Sequence, residues 1–327
     1  MKTLVCFLVF IPCLLFGQPI KTKTKKLPLI ESICTDTVDG KFNQLLFKYD
    51  EKSRVIGIFH KENEILTDSS KNKKVVETII KEQSFTYNEH SSLPVSRRSM
   101  LFQYNDVDSV GKKILFLASA ENQYFLFEKR KRIGDSSLYL KNWHETFDWD
   151  WSTEEPQKRI GKLEQTKKRI YHAIDISKPY SPPTIYSNEF ILTNKGNIGA
   201  ETSAYRYGNR SNDASYYVFQ EYDFAINPLS YLNIANTLAN EKVSLSLDGQ
   251  YGKIATSLYF INKHNYVNYY CTTDEITSHY KYIVLVEYNY NQLKLPINAK
   301  IKTKQVYSNS GEFVAAYEQR LTFTYKD

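Results

Sequence analysis

The residues whose types and spacing best suit ligand binding or catalysis cluster around the three tryptophans of the chain. Trp143 comes first, and a run of alternating aromatic and acidic residues follows: Phe147, Asp148, Trp149, Asp150 and Trp151. If this run is extended, the rings share one face and the carboxylates the other, because successive strand side chains alternate. An exposed aromatic face beside carboxylates suits a saccharide ligand. The alternative is a strand that packs its rings into a core, where large aromatic residues mostly lie.

The same segment offers little for metal binding or catalysis. His144 and Glu145 stand just before the two aspartates, but no two histidines are one helical turn apart, and the glycine of a calcium loop is missing. The sequence therefore predicts no metal and no cofactor. It also lacks a serine-nucleophile elbow, a phosphate-binding loop and a dinucleotide glycine pattern. These absences disfavour an enzyme, although a hydrolase whose carboxylates come from distant positions stays open.

The first residues resemble a secretory signal peptide spanning residues 1–17. Lys2 supplies the positive charge, residues 4–16 are almost wholly apolar, and Gly17 is a small residue at the cleavage position. The apolar run is shorter than the roughly 20 residues that a membrane-spanning helix needs. We therefore predict an exported chain that begins at Gln18 and lies in the periplasm, at the outer-membrane surface or outside the cell.

Two cysteines, Cys34 and Cys271, remain after the predicted signal peptide. In an oxidising compartment such a pair can form a disulfide. In the chain-entropy model, a bridge that closes so long a loop stabilises the fold by roughly 5 kcal/mol. Two free thiols are the alternative, because the sequence gives no distance between them.

Repeated hairpin signals predict the elements that must position these residues. Four stretches have an aromatic strand that ends in Tyr-Asp or Tyr-Asn, a short turn and a second apolar strand. Their turn residues are Asp50, Asn88, Asn105 and Asn291. Asp and Asn close turns because they bond the backbone two residues on and tolerate left-handed geometry. With 26 Tyr and 18 Phe, the pattern predicts an all-β antiparallel meander of hairpins, as an open curled sheet or a barrel-like sheet.

Composition divides the mature chain into regions. We predict a basic leader at 18–33, an N-terminal hairpin region at 34–183 with a Trp-rich insert at 128–183, and a C-terminal hairpin region at 184–327, the last two being separate or one continuous domain. One short helix is predicted near 228–240, since Asn227 can cap it and Pro228 suits the first helical position. The net charge of +7 is modest and partly confined to the leader, so no nucleic-acid partner is expected.

The hairpin phrase resembles the tyrosine-aspartate hairpins of YD-repeat proteins. The wider layout resembles a group of secreted, uncharacterised Bacteroidetes-type β proteins with a porin-like fold. Asn227-Pro228-Leu229 is similar to that group's mid-chain turn and helix, and residues 288–325 are similar to its C-terminal end. The resemblance implies an antiparallel sheet, open or barrel-like, and transfers no catalytic residue.

The expected function is that of a secreted, non-enzymatic protein of the bacterial envelope, either structural or ligand-binding, with a saccharide or a cell-envelope component as the candidate partner. An outer-membrane β-barrel is the first alternative, because it uses the same alternating strands. A hydrolase with dispersed carboxylates is the second.

Overall fold

The computed structural model describes residues 27–67, 71–107, 113–132, 135–147, 157–165, 169–175, 183–208, 210–235, 238, 242–243, 245, 258–272 and 280–326. Within these ranges the chain forms eighteen β-strands and no helix. The strands are β1 (Leu29–Thr35), β2 (Lys41–Tyr49), β3 (Val55–Thr67), β4 (Lys73–Tyr87), β5 (Pro94–Val107), β6 (Lys113–Arg132), β7 (Asp135–Phe147), β8 (Gln157–Gln165), β9 (Arg169–Asp175), β10 (Thr184–Leu192), β11 (Ile198–Tyr207), β12 (Arg210–Ile226), β13 (Lys242–Val243), β14 (Leu258–Tyr259), β15 (His264–Thr272), β16 (Tyr280–Tyr290), β17 (Pro296–Tyr307) and β18 (Phe313–Lys326). None of the described residues belongs to a helix long and apolar enough to cross a membrane.

Sixteen of these described strands form one antiparallel sheet that closes on itself. Neighbours in sequence pair from β1 to β12 and from β15 to β18, and β12 pairs with β15. β1 pairs with both β2 and β18, so each of the sixteen strands has two partners and the sheet is a closed barrel. The remaining strands, β13 and β14, form a separate short pair between β12 and β15. The predicted all-β antiparallel fold is confirmed.

Two of the predicted hairpin turns have the same geometry. The Asp50 carboxylate accepts hydrogen bonds from the backbone N–H groups of Lys52 (3.0 Å) and Arg54 (2.9 Å). The Asn291 side-chain oxygen accepts from the N–H groups two and four residues on, at 2.9 and 3.0 Å. Each turn then places one residue at positive φ, Ser53 at 60° and Lys294 at 58°. The shared side-chain bonds explain why Asp or Asn recurs at this point of the phrase.

Asn105 does not lie in a turn. It lies within β5, where the register with β6 shifts between Tyr104 and Asp106. A register shift of this kind is a β-bulge, in which an extra residue is left out of the strand pairing. The turn predicted at Asn105 is therefore wrong: β5 continues past it to Val107, and the strand pair absorbs the extra residue.

The helix predicted near 228–240 is also wrong for the residues described there. The Asn227 side chain does accept a hydrogen bond from the backbone N–H of Leu229 at 3.1 Å, as a cap would. The next backbone bonds, however, mostly span three residues and form consecutive turns, such as Ala235 N to Leu232 O at 2.9 Å. Leu229, Leu232, Ile234 and Ala235 are all buried, so tertiary packing rather than one apolar stripe determines the backbone path.

Side chains of the last three strands alternate between the barrel interior and its outer surface. Val284, Ile301 and Phe323 point inward and are 0%, 1% and 5% exposed. Several positions of the opposite parity are charged and point outward: Glu287, Lys300, Lys302, Glu318 and Arg320. This period of two gives these strands a mostly apolar inner face and an outer face that carries charged pairs together with apolar residues such as Leu285.

The predicted boundary near residues 183 and 184 falls between two paired strands. β9 and β10 pair from Asp175 opposite Ile185 to Arg169 opposite Ile191. The regions on either side of this boundary therefore contribute to the same sheet.

Candidate functional site

Residues 227–263 connect β12 to β15, and we call the described residues among them the plug. Described plug residues hydrogen-bond to distant parts of the barrel. The bonds are Tyr231 Oη to Pro28 O (2.8 Å), Val55 N to Asn233 Oδ1 (3.0 Å), Ile198 N to Asn262 Oδ1 (2.8 Å) and Gln319 Nε2 to Leu245 O (3.3 Å). These partners lie beside or on β1, β3, β11 and β18, which are spread around the barrel. The plug therefore lies inside the barrel, and we call the end it occupies the plug end.

The plug supplies much of the apolar core. Its buried apolar residues are Leu229, Leu232, Ile234, Ala235, Leu238, Leu245, Leu258, Tyr259 and Phe260. They form one cluster with inward side chains of the wall, including Ile33, Phe47, Phe190 and Val284. Burial of a large apolar side chain stabilises a fold by about 1.5–3 kcal/mol, so the plug is an integral part of the barrel.

One carboxylate holds together the strand residues on either side of the plug. Asp223 precedes the plug, and its Oδ1 atom accepts hydrogen bonds from the N–H groups of Ala225 (3.0 Å) and Asn265 (3.2 Å). Its other oxygen accepts from the Tyr290 hydroxyl on β16. Burial raises the pKa of Asp223 to about 6. The carboxylate therefore links β12, β15 and β16 at the plug end.

Amide side chains fix the remaining turns of the plug. The Asn227 Nδ2 atom donates to the carbonyl oxygens of Tyr259 (2.8 Å) and Asn262 (2.7 Å). In the neighbouring turn, the side-chain oxygen of Asn197 accepts from the N–H of His264 at 3.0 Å. The Tyr259 hydroxyl donates to the buried carboxylate of Glu201 on β11. The sequence indicates Asn227 only as a helix start. Its hydrogen-bond acceptors lie 32 and 35 residues later in the chain, so the local sequence gives no sign of them.

Beyond the plug, the inner face of β2–β5 changes from apolar to polar. Phe47 and Ile58 are paired on the inner face, and Phe85 follows on β4. Farther from the plug end, the inner positions of the same strands are Asn43, His60, Glu62, Lys81, Gln83 and Ser99, with Arg97 opposite Phe85. We call these seven residues the polar inner wall.

Several members of the polar inner wall are deeply buried. Asn43, Gln83 and Arg97 are 2%, 6% and 4% exposed, whereas the next residue on β5, Arg98, is exposed on the outer surface. Together the wall offers a guanidinium, an ammonium, a carboxylate and amides, which can both donate and accept hydrogen bonds. Such a mixture suits a ligand with many hydroxyl groups or a mixed polar ligand.

The Trp-rich segment predicted as a ligand site is only partly described. Trp143 belongs to β7, where it lies opposite Phe125 of β6 and Gly161 of β8. Asp148, Trp149, Asp150 and Trp151 lie outside the described residues. β7 ends and β8 begins at the barrel end opposite the plug, which we call the far end. The stacking role of this segment stays a prediction.

The predicted disulfide is absent, because Cys34 is a free thiol in the structure. Cys34 lies on β1 and Cys271 on β15, and three strands stand between them in the sheet. Neighbouring strands are about 4.8 Å apart, whereas a disulfide needs Cα atoms within about 7 Å. Partial burial raises the pKa of the Cys34 thiol.

No protein-family model and no curated protein matches the chain. One solved structure, described as a porin-like protein from Bacteroides uniformis, is similar to it, with 11% sequence identity and a TM-score of 0.44. The match covers 91% of this chain and 98% of that one. At this score, the similarity does not indicate a function for the chain.

Proposed function

We propose that the chain is an exported, non-enzymatic protein of the bacterial envelope that binds a polar ligand, with a saccharide as the candidate, at the polar inner wall. The observation that carries this proposal is a closed barrel whose described plug residues pack inside one end while the inner face of β2–β5 beyond them is polar. We therefore take the far end as the ligand's entrance.

Charged pairs on the outer surface of the barrel favour a location in water. Lys302 bridges to Glu287 at 2.6 Å and Lys300 bridges to Glu318 at 2.9 Å, both on the outer face of β16–β18. On the lipid face of a membrane barrel, a lysine at the bilayer midplane destabilises the protein by about 2–4 kcal/mol. Four such charges near the middle of three adjacent strands favour an aqueous location for this wall.

The ligand chemistry follows from the wall's side chains. The Arg97 guanidinium carries its N–H donors in a fixed plane, and the amides of Gln83 and Asn43 each combine a donor with an acceptor. Sugar hydroxyl groups need both kinds of partner, and a buried pair of donor and acceptor discriminates against ligands that lack one of them. The Trp-rich connection between β7 and β8 starts and ends at the far end, where an aromatic platform could meet the same ligand.

Two adjacent arginines provide the test. Arg97→Gln removes the inward guanidinium, whereas Arg98→Gln removes an exposed one from the next position. Calorimetric titration with a panel of envelope oligosaccharides should identify a ligand whose affinity falls by about tenfold or more in Arg97→Gln, as loss of a charged hydrogen bond predicts. Arg98→Gln should bind like the wild type. Equal affinities in both variants, or no binding by the folded wild type, would contradict the proposal.

A change at a buried arginine can also unfold the protein. Arg97→Lys keeps the charge and most of the volume but loses the planar donor geometry, so it serves as the second variant. Thermal melting of each variant separates loss of binding from loss of fold.

An outer-membrane barrel is the second candidate, and one observation favours it. The barrel has an even number of described strands, and the two strands that close it, β1 and β18, carry the two ends of the described chain to the plug end. Of these two features, the even number of strands is typical of bacterial outer-membrane barrels. Its test is a detergent phase separation, in which a membrane barrel would enter the detergent-rich phase.

A further inference from the structure

The plug end carries an unusually exposed aromatic side chain. Phe224, near the end of β12, is 81% exposed, more than any other large apolar residue in the described part of the chain. The ammonium of Lys195, in the turn between β10 and β11, lies 4.9 Å from the centre of its ring. One exposed ring alone needs no partner, but an exposed ring that belongs to a wider apolar and charged patch indicates an interaction surface.

A second lysine lies in the same place. The Lys263 side chain packs against Gly196, where a Cβ atom would stand 2.9 Å from its Cε atom. Burial and the positive charges of Lys195 and Lys263 lower the pKa of His264. Two ammonium groups therefore act on one small region, and we call Lys195, Phe224 and Lys263 the plug-end patch.

The rest of the plug end shares this character. Ile56 and Ile297 are each 38% exposed at the starts of β3 and β17. Turn and terminal lysines follow the same rim: Lys52, Lys294 and Lys326. The acidic residues there are Asp50, which is bound to Arg54 at 2.7 Å, Asp223, which is bonded as described above, and the exposed Glu51 and Glu89 in the β2–β3 and β4–β5 turns, so the excess of positive charge is greatest around Lys195 and Lys263.

The described chain also enters the fold at this end. Pro28 accepts a hydrogen bond from Tyr231 of the plug, and the residues just before it include Lys21, Lys23, Lys25 and Lys26. Four lysines within six residues make the sequence that precedes Pro28 strongly basic.

We propose that the plug end docks on the surface of a bilayer that contains anionic phospholipid. Lysines near a membrane are attracted to anionic headgroups, and an exposed phenylalanine can enter the headgroup region. The charged outer wall would remain in water above the membrane. A second copy of this chain is a poor partner for the patch, because two basic surfaces repel each other.

The far end provides a matched control for the experiment. There, Lys304 lies 5.9 Å from the ring centre of Phe313, which is 60% exposed. The two cation–aromatic pairs thus have the same composition and comparable exposure but lie at opposite ends of the barrel. The double variants to compare are Lys195→Glu with Phe224→Ala and Lys304→Glu with Phe313→Ala.

Sedimentation with vesicles tests the proposal directly. The mature protein should bind phosphatidylcholine vesicles that contain phosphatidylglycerol, bind pure phosphatidylcholine far less, and dissociate as salt rises. The plug-end double variant should lower the partition coefficient by about tenfold, because it reverses one charge and removes the ring. The far-end double variant should stay within about twofold of the wild type, since its charges lie beyond the screening length.

Two results would overturn the proposal. One is a wild-type protein that binds both kinds of vesicle equally or neither. The other is equal loss of binding in the two double variants, which would indicate attraction by net charge alone. If the plug-end double variant fails to fold, Phe224→Ser alone must lower vesicle binding.

Discussion

The Asp223 carboxylate is a partly buried acidic group that joins the plug to the wall. Burial raises its pKa from 3.8 to about 6. The folded state therefore favours the protonated form. The stabilisation that this provides is fully present below about pH 4 and is lost as the pH rises through about 6.

Asp223→Asn should remove this pH dependence. At pH 7 we expect the variant to be more stable than the wild type by about 1–2 kcal/mol, a value reduced for the partial exposure of the group. Urea unfolding at several pH values between 4 and 7 measures how the free energy of unfolding changes with pH in the wild type and in Asp223→Asn. Glu318→Gln is the control, because the hydrogen bond from Lys300 holds the pKa of that exposed carboxyl below its ordinary value. A slope unchanged by Asp223→Asn would show that another group titrates.

Single turn residues can be tested in the same way. Asn291→Ala removes the acceptor of two backbone N–H groups and should destabilise the barrel by about 1–2 kcal/mol. Asn291→Asp keeps that acceptor and should melt close to the wild type, since Asp50 already fills the equivalent position. Equal melting temperatures for the two variants would contradict this account of the repeated phrase.

At the scale of elements, the plug decides how the barrel interior is filled. Leu229 in the plug is fully buried, whereas Leu285 on the outer face of β16 is 47% exposed. Leu229→Ala should destabilise the protein by about 2–5 kcal/mol because it leaves a cavity. Leu285→Ala should change stability by less than about 1 kcal/mol. Chemical denaturation of both variants compares them, and a small loss for Leu229→Ala would mean that the plug packs loosely.

The strands were predictable from the sequence in a way that the plug was not. Turn chemistry is local, so the side chains of Asp50 and Asn291 indicate their hairpins without any knowledge of the rest of the chain. Leu229, Leu232 and Ile234 pack against strands far away in sequence, and a segment buried on all sides has no period to detect. The sequence suggested a helix there because it holds a capping residue and leucines at imperfect helical spacing.

The residues of the candidate site also differ in whether the sequence alone reveals them. The Trp-rich segment is visible in the sequence because its residue types are unusual, and its role remains a prediction. The polar inner wall is not visible, since Gln83 and Arg97 come together only through the pairing of β4 and β5. Whether Arg97 or Arg98 points inward depends on strand register, which a bulge can shift by one residue.

At the scale of the whole molecule, the charged outer wall leads to a prediction about where the protein lies. We expect the mature protein to be monodisperse without detergent and to partition into the aqueous phase of a detergent phase separation. The reason is the row of paired charges on β16–β18, which lipid would have to desolvate. A protein that is soluble only in detergent micelles would instead support the outer-membrane alternative.

The pairing of β1 with β18 sets the order of events during folding. Ser32 and Thr324, whose hydroxyl groups lie 2.8 Å apart, are separated by 292 residues. The first strand of the barrel therefore stays unpaired on one side until the last strand has been synthesised. Long-range strand pairing is slow, and an unpaired strand edge readily adds a strand from another molecule. A chain cut short before β18 would keep two such edges permanently, so folding of this barrel should depend on synthesis of the intact chain and on protection of its first strand during that delay.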